Sequence, residues 1–156
     1  ALAAGANPSA ETTAADVRIL NSALGAEREA IAAYQVGAES GLLKPDVLKL
    51  AVGFQSDHKA HAGALEATVR KLGGAPVAAK TNYNFPTDKL KSQADVLQFA
   101  AGLEKGAVSA YLGAVPLFAD RQLAQVAASI LGDEAMHWAV LLQALGLPPV
   151  PVAFMS

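Results

Sequence analysis

Cysteine is absent from this sequence of 156 residues. Its absence excludes disulfide bonds, thiolate metal ligands and thiol nucleophiles together. Aromatic residues are also scarce, at 6% of the chain, and charged residues make up only 17%. Hydrophobic residues make up 53%. A chain of this length and composition can bury one sizeable core and is too short for two ordinary domains.

The sequence also lacks a basic stripe and a long apolar run. Its net charge is −2, and its lysines and arginines are scattered. We therefore expect neither nucleic acid nor an anionic membrane surface as a partner. Charged residues or glycines interrupt every hydrophobic segment before it reaches the roughly 18–20 residues of a membrane-spanning helix, so no membrane span is predicted.

The first residues are small and mostly apolar. Residues 1–12 are predicted to form a flexible N-terminal segment, and the opening Ala1-Leu2-Ala3 fits the A-x-A ending of a removed signal peptide. This pattern favours an exported protein, for example a periplasmic one. The alternative is an alanine-rich tail on a cytoplasmic protein.

Four windows rich in alanine and leucine have helical periodicity, and no strand pattern competes with them. Thr13 and Asp16 resemble a capping box, Pro45 suits a first helical turn, and Ser92 and Asp120 are candidate N-caps. The predicted helices span about residues 13–40, 45–72, 93–115 and 120–145, followed by a proline-rich tail at 147–156.

The lengths of the connections predict the topology. Short links join the first helix to the second and the third to the fourth, which predicts two antiparallel hairpins. Between them lie about 20 residues rich in Gly, Pro, Asn and Thr, which can extend to about 66 Å, whereas a 20-residue helix is about 30 Å long. We therefore predict an all-α four-helix bundle of two hairpins joined by a long crossover.

The two predicted hairpins form an internal repeat. Residues 20–34 align with residues 97–111 at a constant offset of 77, which pairs a glutamate with a glutamate and a tyrosine with a tyrosine. The second helices align at an offset of 76, which pairs His58 with Glu134 and His61 with His137. Packing alone would not require a repeat to keep Glu and His on the inward faces.

Each predicted helix carries ionisable residues on its inward face. Stripping water from such groups costs several kcal/mol or more, so they are rarely buried unless they are paired or bound to a metal. A single residue of this kind could be a solvated glutamate or a satisfied core histidine, but the joint pattern indicates a metal site suited to iron, manganese or zinc. The candidate ligands are Glu27, His58, His61, Glu104, Glu134 and His137.

Four further residues lie beside the candidate ligands. Asp57 and Asp133 are placed to accept hydrogen bonds from ligating histidines and to orient their rings. Tyr34 and Tyr111 follow two of the glutamates by seven residues on the same helical faces. They are candidates for hydrogen bonding to ligand carboxylates or for a redox role near the metal, and the alternative is that they are core aromatics with one polar tip.

The pattern of one Glu, then two ligand residues at i and i+3, then the same again, resembles the ferritin-like superfamily. In that family two helices each supply a Glu and two supply Glu-x-x-His around two iron ions. Glu27, Glu104 and Glu134-x-x-His137 match, whereas His58 stands where the family has its other Glu. The outcomes left open are an asymmetric two-metal site bridged mainly by Glu134, a site for one metal, or a preference for another metal.

The resemblance implies a function for the predicted site. It implies that the protein binds one or two iron ions and reacts them with dioxygen or peroxide, as a ferroxidase or peroxidase in iron handling or oxidative stress. The prolines of the tail prevent the long fifth helix of cage-forming ferritins, so we expect a monomer or homodimer and not a storage cage. The alternatives are a structural or interaction bundle with a degenerate site and, last, a mononuclear zinc or manganese hydrolase, for which no substrate cleft is evident.

Overall fold

Four long helices make up most of the computed structural model, which describes residues 9–156. The helices are α1 (Ala10–Glu39), α2 (Pro45–Lys71), α3 (Gln93–Ala114) and α4 (Arg121–Ala144). Two 3₁₀ helices of three residues each, Thr87–Lys89 and Val115–Leu117, lie in the connections, and no strand occurs within these residues. The predicted all-α four-helix bundle is confirmed. None of the helices in this part of the chain is long and apolar enough to cross a membrane.

The start of α1 differs from the prediction. Ser9 is its N-cap, because the Ser9 hydroxyl accepts a hydrogen bond from the Thr12 amide at 3.2 Å. The helix thus begins at Ala10, three residues before Thr13, and the predicted capping box at Thr13 and Asp16 is wrong. Residues 10–12 are helical and not part of a flexible segment. The rest of that predicted segment, with its A-x-A sequence, lies outside the described residues.

The other helix ends follow the sequence signals closely. Ser92 and Asp120 cap α3 and α4 by accepting the amides of Asp95 at 3.2 Å and Gln122 at 2.7 Å. Pro45 is the first residue of α2. α3 ends one residue before its predicted limit, where the chain tightens into the 3₁₀ helix that contains a proline. Residues 147–156 contain no helix, as predicted.

The core is divided into two apolar clusters. The inward-facing Glu and His residues of the predicted metal site lie in a polar layer between them. In each hairpin the two helices pack along their length, α1 against α2 and α3 against α4. The two clusters bury side chains from helices of both hairpins, so they hold the hairpins together as one bundle. One cluster includes Leu20, Leu24, Leu65, Val69 and Ile130, and the other includes Tyr34, Phe54, Leu97, Trp138 and Leu141.

The long crossover is fastened to α1 where it leaves α2. The amide side chain of Asn21 donates a hydrogen bond to the Ala75 carbonyl at 3.0 Å and accepts one from the Val77 amide at 2.8 Å. Both hydrogen bonds satisfy backbone groups of the crossover that lie outside any helix or strand. The connection therefore begins in a defined direction across the bundle.

Asp16 holds the short connection between α3 and α4 in place. Its side chain is 2% exposed, and its two carboxylate oxygens accept the amides of Ala119 at 2.9 Å and Asp120 at 3.0 Å. Since Asp120 is also the N-cap of α4, the contact links α1 to the start of α4. Asp16 is thus a tertiary contact and not a local cap.

Replacing Asp16 with alanine should destabilise the protein by about 2–4 kcal/mol, because two hydrogen bonds to a buried carboxylate are lost together. Urea unfolding followed by circular dichroism measures the change. The control is Asp88→Ala in the exposed crossover, which should change the free energy of unfolding by no more than about 0.5 kcal/mol. Equal effects of the two substitutions would contradict this role for Asp16.

Candidate metal centre

All six predicted ligands lie in one layer between the two apolar clusters. Five of them are at most 3% exposed, and the His61 side chain is 13% exposed. Each helix directs its residues inward because positions three or four apart share one helical face. The residues in the layer are Glu27 of α1, His58 and His61 of α2, Glu104 of α3, and Glu134 and His137 of α4.

One half of the layer lies between α1, α2 and α4. The Nδ1 atom of His58 is 2.8 Å from Oε2 of Glu27 and 3.4 Å from Oε1 of Glu134. His61 Nδ1 lies 3.1 Å from the same Glu134 oxygen. These four side chains each offer one ligand atom, all within 4.8 Å of one another. They could therefore hold one metal ion.

The other half lies between α2, α3 and α4. His58 presents its second ring nitrogen, Nε2, to Oε1 of Glu104 at 3.2 Å. His137 Nδ1 is 3.4 Å from that oxygen and 3.6 Å from Oε2 of Glu134. His58, Glu104, Glu134 and His137 form a second group of ligand atoms within 4.8 Å. The two groups share His58 and Glu134, and Oε1 of Glu134 faces His61 while its Oε2 faces His137.

Unpartnered polar atoms are concentrated in this layer. Among the described residues, four buried side-chain nitrogen or oxygen atoms have no hydrogen-bond partner, and three of them belong to the layer. Buried polar atoms are normally hydrogen-bonded, so each exception requires an explanation. Lone pairs of carboxylates and imidazoles are the atoms that iron, manganese and zinc bind, so the residues fit a metal. The three atoms are Glu104 Oε2, Glu134 Oε2 and His137 Nδ1.

Two aspartates fix the orientation of the outer histidines. Oδ2 of Asp57 is 3.1 Å from Nε2 of His137, and Oδ2 of Asp133 is 3.2 Å from Nε2 of His61. A proton on Nε2 leaves the Nδ1 lone pair directed at the carboxylates of the layer. Asp57 and Asp133 therefore occupy the positions expected of them, each reaching the histidine on the other hairpin.

The two tyrosines also cross between hairpins. The Tyr34 hydroxyl donates a hydrogen bond to Oε1 of Glu104, and the Tyr111 hydroxyl donates one to Oε1 of Glu27 at 2.5 Å. Both rings are at most 5% exposed. Of the roles considered for Tyr34 and Tyr111, the geometry agrees with hydrogen bonding to the candidate ligand carboxylates.

Phe54 is a neighbour of the candidate ligands that was not among the predicted site residues. Its ring stacks on His137 with centroids 4.0 Å apart and an interplanar angle of 23°. Phe54 precedes His58 by four residues and so lies on the same helical face. It supports the face of the His137 ring, whereas Asp57 contacts its Nε2 atom.

A protein-family model described as a ferritin-like domain matches residues 15–147. The chain belongs to the ferritin-like family. Among curated protein sequences, none matches the chain significantly.

Solved structures share the ferritin-like fold at low sequence identity. A conserved hypothetical protein from Mycobacterium tuberculosis has a TM-score of 0.79 at 23% identity, covering 92% of this chain and 99% of its own. A ferritin-like diiron-carboxylate protein from Bacillus anthracis has a TM-score of 0.72 at 19% identity, covering 86% and 97%. The bacterioferritin of Desulfovibrio desulfuricans has a TM-score of 0.81 at 18% identity, covering 90% and 84%. At these identities the likeness establishes the fold alone.

The histidines of this ferritin-like layer bind protons strongly. Desolvation lowers the pKa of His58, but hydrogen bonds with Glu104 and Glu27 outweigh it and raise the pKa to about 10. Burial also lowers the pKa of His61, but hydrogen bonds with Glu134 and Glu27 outweigh it and raise the pKa to about 9. That of His137 rises to about 10 through Glu104 and Glu134. Metal binding must therefore displace protons from these rings.

The three carboxylates are not equivalent. Burial raises the pKa of Glu27, but hydrogen bonds from His58, His61 and Tyr111 outweigh it and lower the pKa to about 2. The pKa of Glu104 is also lowered against burial, through hydrogen bonds with His137 and His58. Burial prevails only at Glu134, whose pKa is raised. Glu134, the carboxylate shared by both ligand groups, is thus the one whose negative charge is least stabilised by neighbouring side chains.

Replacing Tyr34 with phenylalanine should lower the free energy of unfolding of the chelator-treated protein by about 1.5–3 kcal/mol, because a hydrogen bond to the buried Glu104 carboxylate is lost. Denaturant unfolding measures the change. The control is Tyr83→Phe, which removes a hydroxyl that accepts from the Lys80 amide in the exposed crossover and should cost no more than about 0.5 kcal/mol. A similarly small loss for Tyr34→Phe would show that its contact does not stabilise the layer.

Proposed function

We propose that this ferritin-like protein binds iron in the buried layer and reacts it with dioxygen or peroxide, in iron handling or defence against oxidative stress. The observation that carries the proposal is that two groups of ligand atoms meet at His58 and Glu134, around buried lone pairs without a hydrogen-bond partner. Six ionisable side chains in one layer of an apolar bundle are otherwise costly, since the desolvation of each charge needs compensation.

The donor set favours iron over softer metals. Three carboxylates and three imidazoles, with no thiolate in the chain, suit iron, and manganese and zinc are the alternatives. Glu27, His61 and Glu134 would hold one ion, and Glu104, Glu134 and His137 would hold a second. His58 belongs to both groups and would ligate one of the two ions. The two oxygens of Glu134 lie toward different groups, which suits a carboxylate that bridges two ions.

The protein's own groups would set the geometry around iron, and the bound iron would supply the electrons that reduce the oxidant. Tyr34 and Tyr111 hold one oxygen each of Glu104 and Glu27 by hydrogen bonds. Asp57 and Asp133 hold protons on Nε2 of His137 and His61, and so keep Nδ1 available for the metal. The apolar clusters above and below the layer limit the access of water.

His58 changes the charge of the site relative to the family pattern. With four carboxylates, two ferrous ions are neutralised, whereas the three carboxylates here leave one positive charge in excess. Oxidation adds further positive charge in a buried, weakly screened place, where its cost is larger than in water. The second ion should therefore bind more weakly than the first, and the ferrous state should be favoured over the ferric state.

Replacing Glu134 with glutamine should remove the shared carboxylate and reduce bound iron from two ions per chain to at most one. Iron-dependent consumption of oxygen or peroxide should be lost with it. Elemental analysis and an anaerobic Fe(II) titration followed by admission of air measure both. The control is Glu39→Gln at the exposed end of α1, which should leave both unchanged. Unaltered turnover in a folded Glu134→Gln protein would refute the proposed role of Glu134.

Replacing His58 with glutamate should restore the fourth carboxylate of the family pattern. We expect the second iron to bind at least about tenfold more tightly, a gain of about 1.4 kcal/mol from the added opposite charge. Calorimetric Fe(II) titration under anaerobic conditions measures the two affinities. If His58→Glu leaves the weaker affinity unchanged, His58 does not limit occupancy of the second position.

One observation favours a second candidate function, that of a structural or interaction bundle that works without iron. His58 contacts Glu27 through one nitrogen and Glu104 through the other, so a protonated ring can balance both carboxylates without a metal. In that case protein purified without chelator would contain no stoichiometric metal, and a chelator would not shift its melting temperature. A bound iron would give the opposite results in both measurements.

A further inference from the structure

The two ligand groups differ in how many of their donor atoms already have a protein partner. The Glu104 group consists of His58, Glu104, Glu134 and His137, and the Glu27 group consists of Glu27, His58, His61 and Glu134. Three buried donor atoms of the layer have no hydrogen-bond partner among residues 9–156, namely Glu104 Oε2, Glu134 Oε2 and His137 Nδ1. All three lie in the Glu104 group, since Oε2 of Glu134 faces His137 at 3.6 Å. Unsatisfied lone pairs are therefore concentrated on one side of the layer.

The donor atoms of Glu27 and His61 are engaged. Oε1 of Glu27 accepts a hydrogen bond from the Tyr111 hydroxyl at 2.5 Å, and its Oε2 lies 2.8 Å from His58 Nδ1. His61 Nδ1 lies 3.1 Å from Oε1 of Glu134. A metal ion at this position must break such contacts, and a hydrogen bond lost from a buried carboxylate is costly. The unpartnered atoms of the Glu104 group have no hydrogen bond to lose, so an ion binds there at lower cost.

His137 is held more firmly than His61. Nε2 of His137 lies 3.1 Å from Asp57 and 3.4 Å from Asp133, whereas Nε2 of His61 lies 3.2 Å from Asp133. The Phe54 ring also stacks on His137. The His137 side chain is 3% exposed, against 13% for His61. A ring that is fixed before the metal arrives loses less conformational freedom on binding, so His137 is the better prepared ligand, and His61 lies closer to solvent.

His58 belongs to both groups but can give a metal-binding lone pair to only one of them. Its Nδ1 contact with Glu27, at 2.8 Å, is shorter than its Nε2 contact with Glu104, at 3.2 Å. A proton kept on Nδ1 in the shorter hydrogen bond leaves the Nε2 lone pair on the side of Glu104. A ligating histidine normally has such a carboxylate on its other nitrogen. Glu27 thus orients His58, and the Glu104 group gains a fourth donor.

We propose that the two metal positions of the layer have different roles. The Glu104 group is a resident position, which fills first and holds its ion through Glu104, Glu134, Nδ1 of His137 and Nε2 of His58. Glu27, His61 and Glu134 form an exchanging position, which fills second and binds its ion more weakly. The assignment rests on the proposed metal binding and deepens it, because it separates an ion that stays in the protein from an ion that is taken up and released.

Long-range proton–nitrogen NMR of the histidine rings tests the order of filling in the full chain. The chain has three histidines, so each ring can be followed separately. The protein is first treated with chelator, and the probe is diamagnetic Zn²⁺, which binds imidazole and carboxylate sites. With one equivalent of Zn²⁺ we expect Nδ1 of His137 and Nε2 of His58 to reach metal-bound shifts, and Nδ1 of His61 to do so only with the second equivalent. A metal-bound His61 at the first equivalent would overturn the order.

His137→Gln and His61→Gln are a matched pair of variants, because each removes one imidazole that belongs to one group only. Calorimetric titration with Zn²⁺ measures the two affinities. In His137→Gln the tighter affinity should fall at least about tenfold, since loss of a ligand costs at least as much as loss of an orienting partner. His61→Gln should remove the weaker phase and keep the tighter one. An equal loss of the tighter affinity in both variants would overturn the assignment.

The order of filling and the proposed iron chemistry can fail separately. Binding of Zn²⁺ and Fe(II) in the expected order, without consumption of oxygen or peroxide, would contradict the proposed reaction and leave the two positions as assigned. Iron-dependent consumption of oxygen in a protein whose His61 binds the first ion would overturn the assignment and leave the reaction standing. Absence of stoichiometric binding of either metal would contradict both proposals.

Discussion

The structure depends on one constraint: three carboxylates and three imidazoles must share a buried layer of a mostly apolar bundle. Each charge there is costly to strip of water, so each needs opposite charge or a hydrogen bond at close range. The surrounding side chains supply these contacts. The tyrosines donate to two of the glutamates, the aspartates orient two of the histidines, and Phe54 supports the ring of His137. The contacts cross between hairpins, so the layer also couples the two halves of the chain.

The repeat within the sequence explains why the contacts occur in pairs. Tyr34 reaches Glu104 as Tyr111 reaches Glu27, and Asp57 reaches His137 as Asp133 reaches His61. These pairs are related by the offsets that align the two hairpins, which gives the layer an approximate twofold symmetry. The symmetry fails at one place, where His58 corresponds to Glu134. An imidazole there can reach both outer glutamates but carries no negative charge, so the layer has three carboxylates, and Glu134 is the one that both ligand groups share.

The sequence predicted the fold and the composition of the layer because both depend on local periodicity. Inward positions follow from spacings of three and four, and a Glu or His at such a position is visible without coordinates. The predicted start of α1 was wrong because Thr13 and Asp16 have the spacing of a capping box. Asp16 instead contacts the loop between α3 and α4, more than 100 residues away in the sequence. The stacking of Phe54 on His137 depends on the distance between α2 and α4, which sequence spacing does not specify.

The two aspartates lie on one side of the bundle, and a cleft between α1 and α3 lies on another. Asp57 and Asp133 project from α2 and α4, where they are partly or largely exposed beside the histidines. The cleft opens between α1 and α3, with walls of alanine and glycine. A hydrated cation that approaches the first side meets negative charge before it meets the layer, whereas an uncharged molecule finds apolar surface on the second. The two sides of the layer thus differ in chemistry, with carboxylates near the surface between α2 and α4 and small apolar side chains between α1 and α3.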